Sequence, residues 1–165
     1  MLVLGIDPGT AITGYGLVRE DEEGLTLVDY GVITTAAGRP LPERLQAIYQ
    51  GLADVAREHQ PQQAAVEELF FSRNVRTALS VGHARGVTLL ALADAGLAIH
   101  EYKPLEIKQA ITGYGGAGKQ QVQEMVRLLL NLDAVPEPDD AADAVAVAVC
   151  HIHSARMKAL INDAR

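Results

Sequence analysis

A chain of 165 residues with 48% hydrophobic and 21% charged side chains has the composition of one globular domain, long enough to bury a sizeable core. A net charge of −7 argues against indiscriminate binding to nucleic acid, and a single cysteine, Cys150, excludes an internal disulfide and a cysteine-built zinc site and fits a reducing cytoplasm. Apolar runs such as Ala144 to Cys150 are too short to span a bilayer, and no basic stretch precedes an apolar core at the N-terminus.

The first element is a buried strand, Leu2-Val3-Leu4-Gly5-Ile6-Asp7, apolar without alternation and stopped by Pro8-Gly9. Gly14 to Val18 reads as a second strand, Glu20 to Gly24 as a charged hairpin loop, and Leu25 to Thr35 as a third strand. Short connections between them predict an antiparallel meander. Leu41 to His59 carries apolar residues at 41, 45, 48, 52, 55 and 56, the spacing of an amphipathic helix. Pro61 breaks it, and Ala64 to Phe70 follows as a short buried strand. Asn74 caps a helix expected to reach Ala95, and Leu97 to Tyr102 is a fifth strand. Pro104 opens a short helix through Ile111, a glycine-rich loop covers 112–118, and Lys119 to Leu130 is helical. After Pro136 and Pro138, a final Ala/Val-rich helix runs from Asp139 to about Leu160. The order predicts a single α/β domain over residues 1–165, a mixed five-stranded sheet flanked by helices.

Charge is unevenly spread along this order. Residues 1–70 hold 4 Lys and Arg against 11 Asp and Glu, residues 71–127 hold 7 against 4, and residues 128–165 hold 3 against 6. A locally basic middle third between acidic flanks suits a polyanion-binding face beside a carboxylate site, and it also fits ordinary fluctuation.

Asp7 ends the first strand, and Glu67 lies among apolar neighbours in the fourth. Asp140 and Asp143, spaced i, i+3, share a face at the start of the last helix. Separately, each has a bland reading: Asp7 as a solvated turn residue, Asp140 as a cap, Asp143 as a polar helix position. Together they look like a hard-oxygen site for Mg²⁺ or Mn²⁺, the kind in which two ions about 4 Å apart activate water and stabilise a leaving oxygen in phosphodiester cleavage.

Gly113-Tyr114-Gly115-Gly116-Ala117-Gly118-Lys119 matches the start of a P-loop, but Gln120 replaces the required hydroxyl and a helix, not a strand, precedes it. His151 and His153, two apart on a helix, face different ways and form no zinc pair.

Gly5-Ile6-Asp7-Pro8-Gly9-Thr10 with Thr13-Gly14-Tyr15-Gly16, then Val66-Glu67-Glu68-Leu69-Phe70, then Ala84-Arg85-Gly86-Val87 and Asp140-Ala141-Ala142-Asp143-Ala144 resemble the RuvC family of bacterial Holliday-junction resolvases, in collinear order over residues 2–155. The resemblance implies a ribonuclease-H-like fold whose first three strands are antiparallel. It also implies a homodimer, and Mg²⁺-dependent paired nicking of four-way DNA junctions that leaves 5′-phosphate and 3′-hydroxyl ends. It assigns Asp7, Glu67, Asp140 and Asp143 to catalysis and to two Mg²⁺ ions, for which Mn²⁺ substitutes. Glu68 and Asp139 are neighbouring acids outside that set. Lys108 and Lys119 match positions near the scissile phosphate or DNA backbone. Phe70 is expected to stack on a base, and Arg73, Arg76 and Arg85 are candidate phosphate contacts. The helix from Asn74 to Ala95, with Val81, Val87 and Leu90, is the expected dimer surface, and the RuvA/RuvB branch-migration complex is the implied partner. Two alternatives remain: a ribonuclease-H-like nuclease without junction selectivity, such as the small type linked to ribosomal RNA processing, and an inactive module that binds branched DNA.

Overall fold

The computed structural model describes residues 1–68 and 75–163, with 75–77 and 162–163 described as backbone only. Three strands come first: β1 (Leu2–Asp7), β2 (Ile12–Asp21) and β3 (Gly24–Thr34), paired antiparallel as a meander. Helix α1 (Leu41–His59) crosses to β4 (Gln63–Glu67), parallel to β1, and α2 (Val75–Asp94) leads to β5 (Ala98–Tyr102), parallel to β4. Helices α3 (Pro104–Thr112), α4 (Lys119–Leu129) and α5 (Asp139–Asp163) follow, and the sheet order is β3-β2-β1-β4-β5. The mixed sheet with an antiparallel first half is therefore as expected.

Several boundaries differ by a residue or more from the sequence reading, β2 beginning at Ile12 instead of Gly14. The hairpin loop is tighter than Glu20 to Gly24, because β2 runs on to Asp21 and β3 starts at Gly24. The Asp21 carboxylate accepts the Glu23 N–H at 3.0 Å, and Gly24 takes a positive φ of 126° that favours glycine. The fourth strand stops at Glu67 instead of Phe70, although the Glu68 N–H still donates to the Tyr102 carbonyl at 2.8 Å. The expected cap Asn74, with Phe70 and Arg73, lies outside the described residues.

Residue parity in β1 divides the core. Leu2, Leu4 and Ile6 face one side, where they meet Leu17, Ala64, Val66 and the apolar faces of α1 and α2. Val3 faces the other, with Val18, Ala65 and helices α3, α4 and α5. Burying each such aliphatic side chain contributes about 1.5–3 kcal/mol, so β1 is fixed from both sides.

Helix α5 lies almost on the backbone of the sheet, and three glycines make this possible. Gly5 and Gly16 are cross-strand partners, and Gly14 is the partner of Asp7. A Cβ on Gly5 would stand 2.1 Å from the Ala144 carbonyl oxygen, on Gly14 1.9 Å from that of Asp140, and on Gly16 2.8 Å from the Val145 Cα. The glycines form a trough, and the small residues Ala141, Ala144 and Ala148 let the helix fill it. By length and composition Asp139–Ile161 could cross a membrane, but every residue from Ala144 to Ile152 is buried against this protein's own sheet and helices.

Candidate active site

The parity that buries Val3 and Ala65 beneath α5 also turns Asp7 and Glu67 to that face, at the ends of neighbouring parallel strands. The glycine trough sets the start of α5 over the same strand ends, which brings Asp140 and Asp143 to them. The four acids found by sequence reasoning thus converge. Asp7 senses the charge of Glu67, Asp143 and Asp140, and the Asp7 and Glu67 carboxyl groups share a hydrogen bond.

Burial, then repulsion from Glu67, Asp143 and Asp140, pushes the Asp7 pKa up to about 8. Glu67 is raised mainly by burial and by Asp143, against the opposing effect of its hydrogen bond with Asp7 and then of Lys119 and Lys108. Asp143 is raised by burial as well. The buried Asp7–Glu67 pair therefore keeps a shared proton to higher pH than exposed carboxyl groups do.

Lys119 answers part of this charge. Its ammonium group lies 2.9 Å from an Asp143 oxygen and 3.1 Å from an Asp139 oxygen, and these contacts raise its pKa although burial opposes them. Asp139, set outside the catalytic set by sequence reasoning, anchors Lys119 together with Gln123, which donates to the Asp139 carboxylate at 3.1 Å. Lys108 and Lys119 line a cavity of about 250 Å³ with Glu67 and Asp143, floored by Ile107, Val122 and Ala146. Both lysines therefore stand at the carboxylates.

The turn after Asp7 is braced from several directions. Thr13 Oγ1 donates to the Gly9 carbonyl at 2.7 Å, and Thr35 Oγ1 donates to the Thr10 carbonyl at 2.5 Å. Thr10 Oγ1 donates to the Ser80 carbonyl of α2 at 2.5 Å and accepts from Ser80 Oγ at 2.9 Å. Arg44 of α1 donates from Nε to Thr35 Oγ1 at 2.8 Å. Sequence reasoning missed this brace. One signal was available: Arg44 continues the line of Ile48, Leu52 and Ala56 on α1, an odd place for a cation.

Other expected residues fall elsewhere. Arg85 is not turned to a phosphate; it is ion-paired with Glu101 of β5. Arg76 is described only as backbone within α2, so its expected DNA contact, like those of Phe70 and Arg73, lies outside the described side chains. His151 and His153 do diverge. His151 is buried between Tyr102 Oη (2.7 Å) and Gln63 Oε1 (2.5 Å), whereas His153 meets the Ala110 carbonyl at 3.2 Å.

Among the described residues, no three His, Cys, Asp or Glu side chains are already closed around one point as ligands. The acids form a charge-coupled set without a preformed cage. Their chemistry nevertheless fits a hard divalent cation. They offer carboxylate oxygens only, burial and mutual repulsion raise Asp7, Glu67 and Asp143, and a lysine ammonium already rests on Asp143.

The chain matches the family described as crossover junction endodeoxyribonuclease RuvC over residues 3–151. The RuvC of Chloroflexus aggregans is 61% identical over 155 residues, 94% of each chain. Among solved structures, Thermus thermophilus RuvC is similar with a TM-score of 0.89 at 38% identity, covering 96% of this chain and 97% of that one. T. thermophilus RuvC in complex with Holliday junction substrate is similar with a TM-score of 0.87 at 37% identity, covering 95% and 96%. With its ribonuclease-H-like sheet and four acids at one strand end, this chain belongs to the RuvC family of crossover junction endodeoxyribonucleases.

Proposed function

We propose that this protein resolves Holliday junctions, nicking two opposing strands of a four-way DNA junction to leave 5′-phosphate and 3′-hydroxyl ends in recombination and repair. The observation that carries this reading is the convergence of Asp7, Glu67, Asp140 and Asp143 beside Lys108 and Lys119, in a chain of this family. Asp7, Glu67, Asp140 and Asp143 would hold Mg²⁺, two ions per site, with Mn²⁺ as a substitute. When bound, such ions neutralise phosphate charge and make water a competent nucleophile at neutral pH.

The chain's own residues have distinct parts in that reaction. Asp7 and Glu67 would hold the cation as carboxylates, its charge offsetting the burial and the repulsion that raise Asp7. Asp143 would exchange its contact with Lys119 for the cation, leaving the ammonium to oppose phosphate charge in the cavity. Lys108 sits in the same cavity and opposes the same phosphate charge. The Thr10–Ser80 and Thr35–Arg44 contacts hold the turn after Asp7 in place while charge changes around it.

Two-fold symmetry of the substrate calls for a homodimer, and α2 offers the surface. Leu79, Gly82, Gly86 and Leu90 form an exposed stripe, with open space where either glycine would carry a side chain. Val81 and Val87, expected on that surface, are half-buried, and Val87 packs toward the core of its own chain. We also infer a cytoplasmic protein that works beside the RuvA/RuvB branch-migration complex.

The test is cleavage of a labelled four-way junction and of linear duplex of the same sequence, with Mg²⁺, with Mn²⁺ and with chelator. Symmetric, metal-dependent nicks confined to the junction are expected. Equal cutting of duplex would refute junction selectivity, and tight binding without cutting would refute catalysis.

A further inference from the structure

The carboxylates are flanked by two cavities, and only one contains the lysines. The first, with Lys108 and Lys119, opens beside Glu67 and Asp143. The second, of about 490 Å³, opens beside Asp140 and is lined by Gly9, Thr10, Ile12, Ser80 and Arg44. The first is lined by Pro104 and Lys108, which follow β5, and the second by the β1–β2 turn and by Arg44, bonded to Thr35 just past β3, so in the sheet order β3-β2-β1-β4-β5 the two cavities lie on opposite sides of Asp7 and Glu67.

Arg44 has the chemistry of an anion contact. Its Nε is committed to Thr35, which fixes the plane of the guanidinium, while both terminal nitrogens are without a partner among the described residues. Among the described residues, no carboxylate is within ion-pair distance of it, and it is half-buried at the cavity wall. A half-buried arginine, oriented by one bond and lacking an acid, presents its remaining fork to a phosphate. The hydroxyls of Thr10 and Ser80 share the cavity.

We propose that Arg44 binds a DNA backbone phosphate on the far side of the scissile position from Lys108 and Lys119, so that the cut strand is held at both ends across the carboxylates. This rests on the resolvase reading, which supplies the phosphate between the two cavities. Arg44 is then a DNA contact contributed by α1, an element to which sequence reasoning gave only a packing role.

Two substitutions separate charge from bracing. Arg44→Gln keeps a side-chain N–H donor that reaches toward Thr35 and removes the charge, whereas Arg44→Lys keeps the charge and loses the fork. The probe is a fluorescently labelled four-way DNA junction, bound in chelator-containing buffer from about 50 to 200 mM salt, where each phosphate contact contributes about 0.9 to the slope of log K against log salt. Arg44→Gln is expected to lower the slope by about that amount for each protomer engaged, with Arg44→Lys close to wild type. In Mg²⁺, Arg44→Gln should raise KM more than it lowers kcat. A slope unchanged in Arg44→Gln would overturn the proposal. So would Arg44→Lys losing cleavage while Arg44→Gln retains it, since Arg44 would then act only as a brace for the turn. A wild-type chain that did not bind the junction at all would overturn the resolvase reading itself.

Discussion

Placing a methyl group on Gly14 should separate the catalytic acids without removing any of them. Gly14 is paired with Asp7, and its Cβ would lie 1.9 Å from the Asp140 carbonyl oxygen, 2.4 Å from the carbonyl carbon and 3.1 Å from the Ala141 nitrogen. These are backbone atoms in the first turn of α5, and no rotamer relieves the clash. Restoring ordinary contact at 3.4 Å requires the helix start to rise by about 1.5 Å. Overpacking of this kind costs about 1–3 kcal/mol of stability, and a displacement of about 1 Å at a reacting centre costs about 100-fold in rate. Gly14→Ala should therefore remain folded but cleave a labelled junction at least about 100-fold more slowly under single turnover. Gly38→Ala, where a methyl group meets open space, is the control and should match wild type. Wild-type cleavage by Gly14→Ala with an unshifted urea midpoint would refute the argument that direct helix-on-sheet contact places Asp140 and Asp143.

Asp7→Asn should abolish cleavage yet preserve junction binding, and in chelator it should raise thermal stability by removing the cost of burying a carboxyl group among other acids; a gel shift and a melting curve test both, and lost binding would assign Asp7 another role. Burial first, then His100 and Lys158, holds the His151 pKa down at about 4. Between about pH 6.5 and 4 the unfolded chain takes up a proton that folded His151 refuses, so His151 withdraws up to about 3 kcal/mol of stability as pH falls through that window. Urea unfolding at both ends of the window should show a smaller loss for His151→Gln, and an equal loss would contradict the assignment. Leu90→Glu, on the exposed stripe of α2, should give monomers by light scattering and abolish paired nicking; an intact dimer would move the interface elsewhere.

The acids were readable in sequence because each breaks its local pattern. Asp7 and Glu67 are charges in apolar strands, and strand parity alone puts both on the face away from Leu4, Ile6, Ala64 and Val66. Asp140 and Asp143 are less distinctive, since helix starts attract carboxylates for their own reasons. What the pattern does not carry is distance between elements. Gly5, Gly14 and Gly16 look like weak points in two strands, and their role as a seat for α5 emerges only when the helix is laid across them. The contacts of Lys119 with Asp139 and Asp143 span about two dozen residues, and the Thr10–Ser80 bonds span 70. Neither leaves a local periodicity. Arg85 shows the opposite error: an exposed-looking arginine in a basic stretch proves to be satisfied by Glu101, a partner that only the packing of α2 on β5 supplies.

The alternation of β1 has a consequence for how this protein can change. Odd positions belong to the acids and their helix, and even positions to the side that carries α1 and α2. A substitution at Leu4 or Ile6 is felt first by the helices that brace the site and offer the surface for a second subunit. One at Gly5 is felt by the helix that carries Asp140 and Asp143. Variation in assembly and variation in chemistry are thus written in alternate letters of the same six-residue strand, and can be altered one at a time.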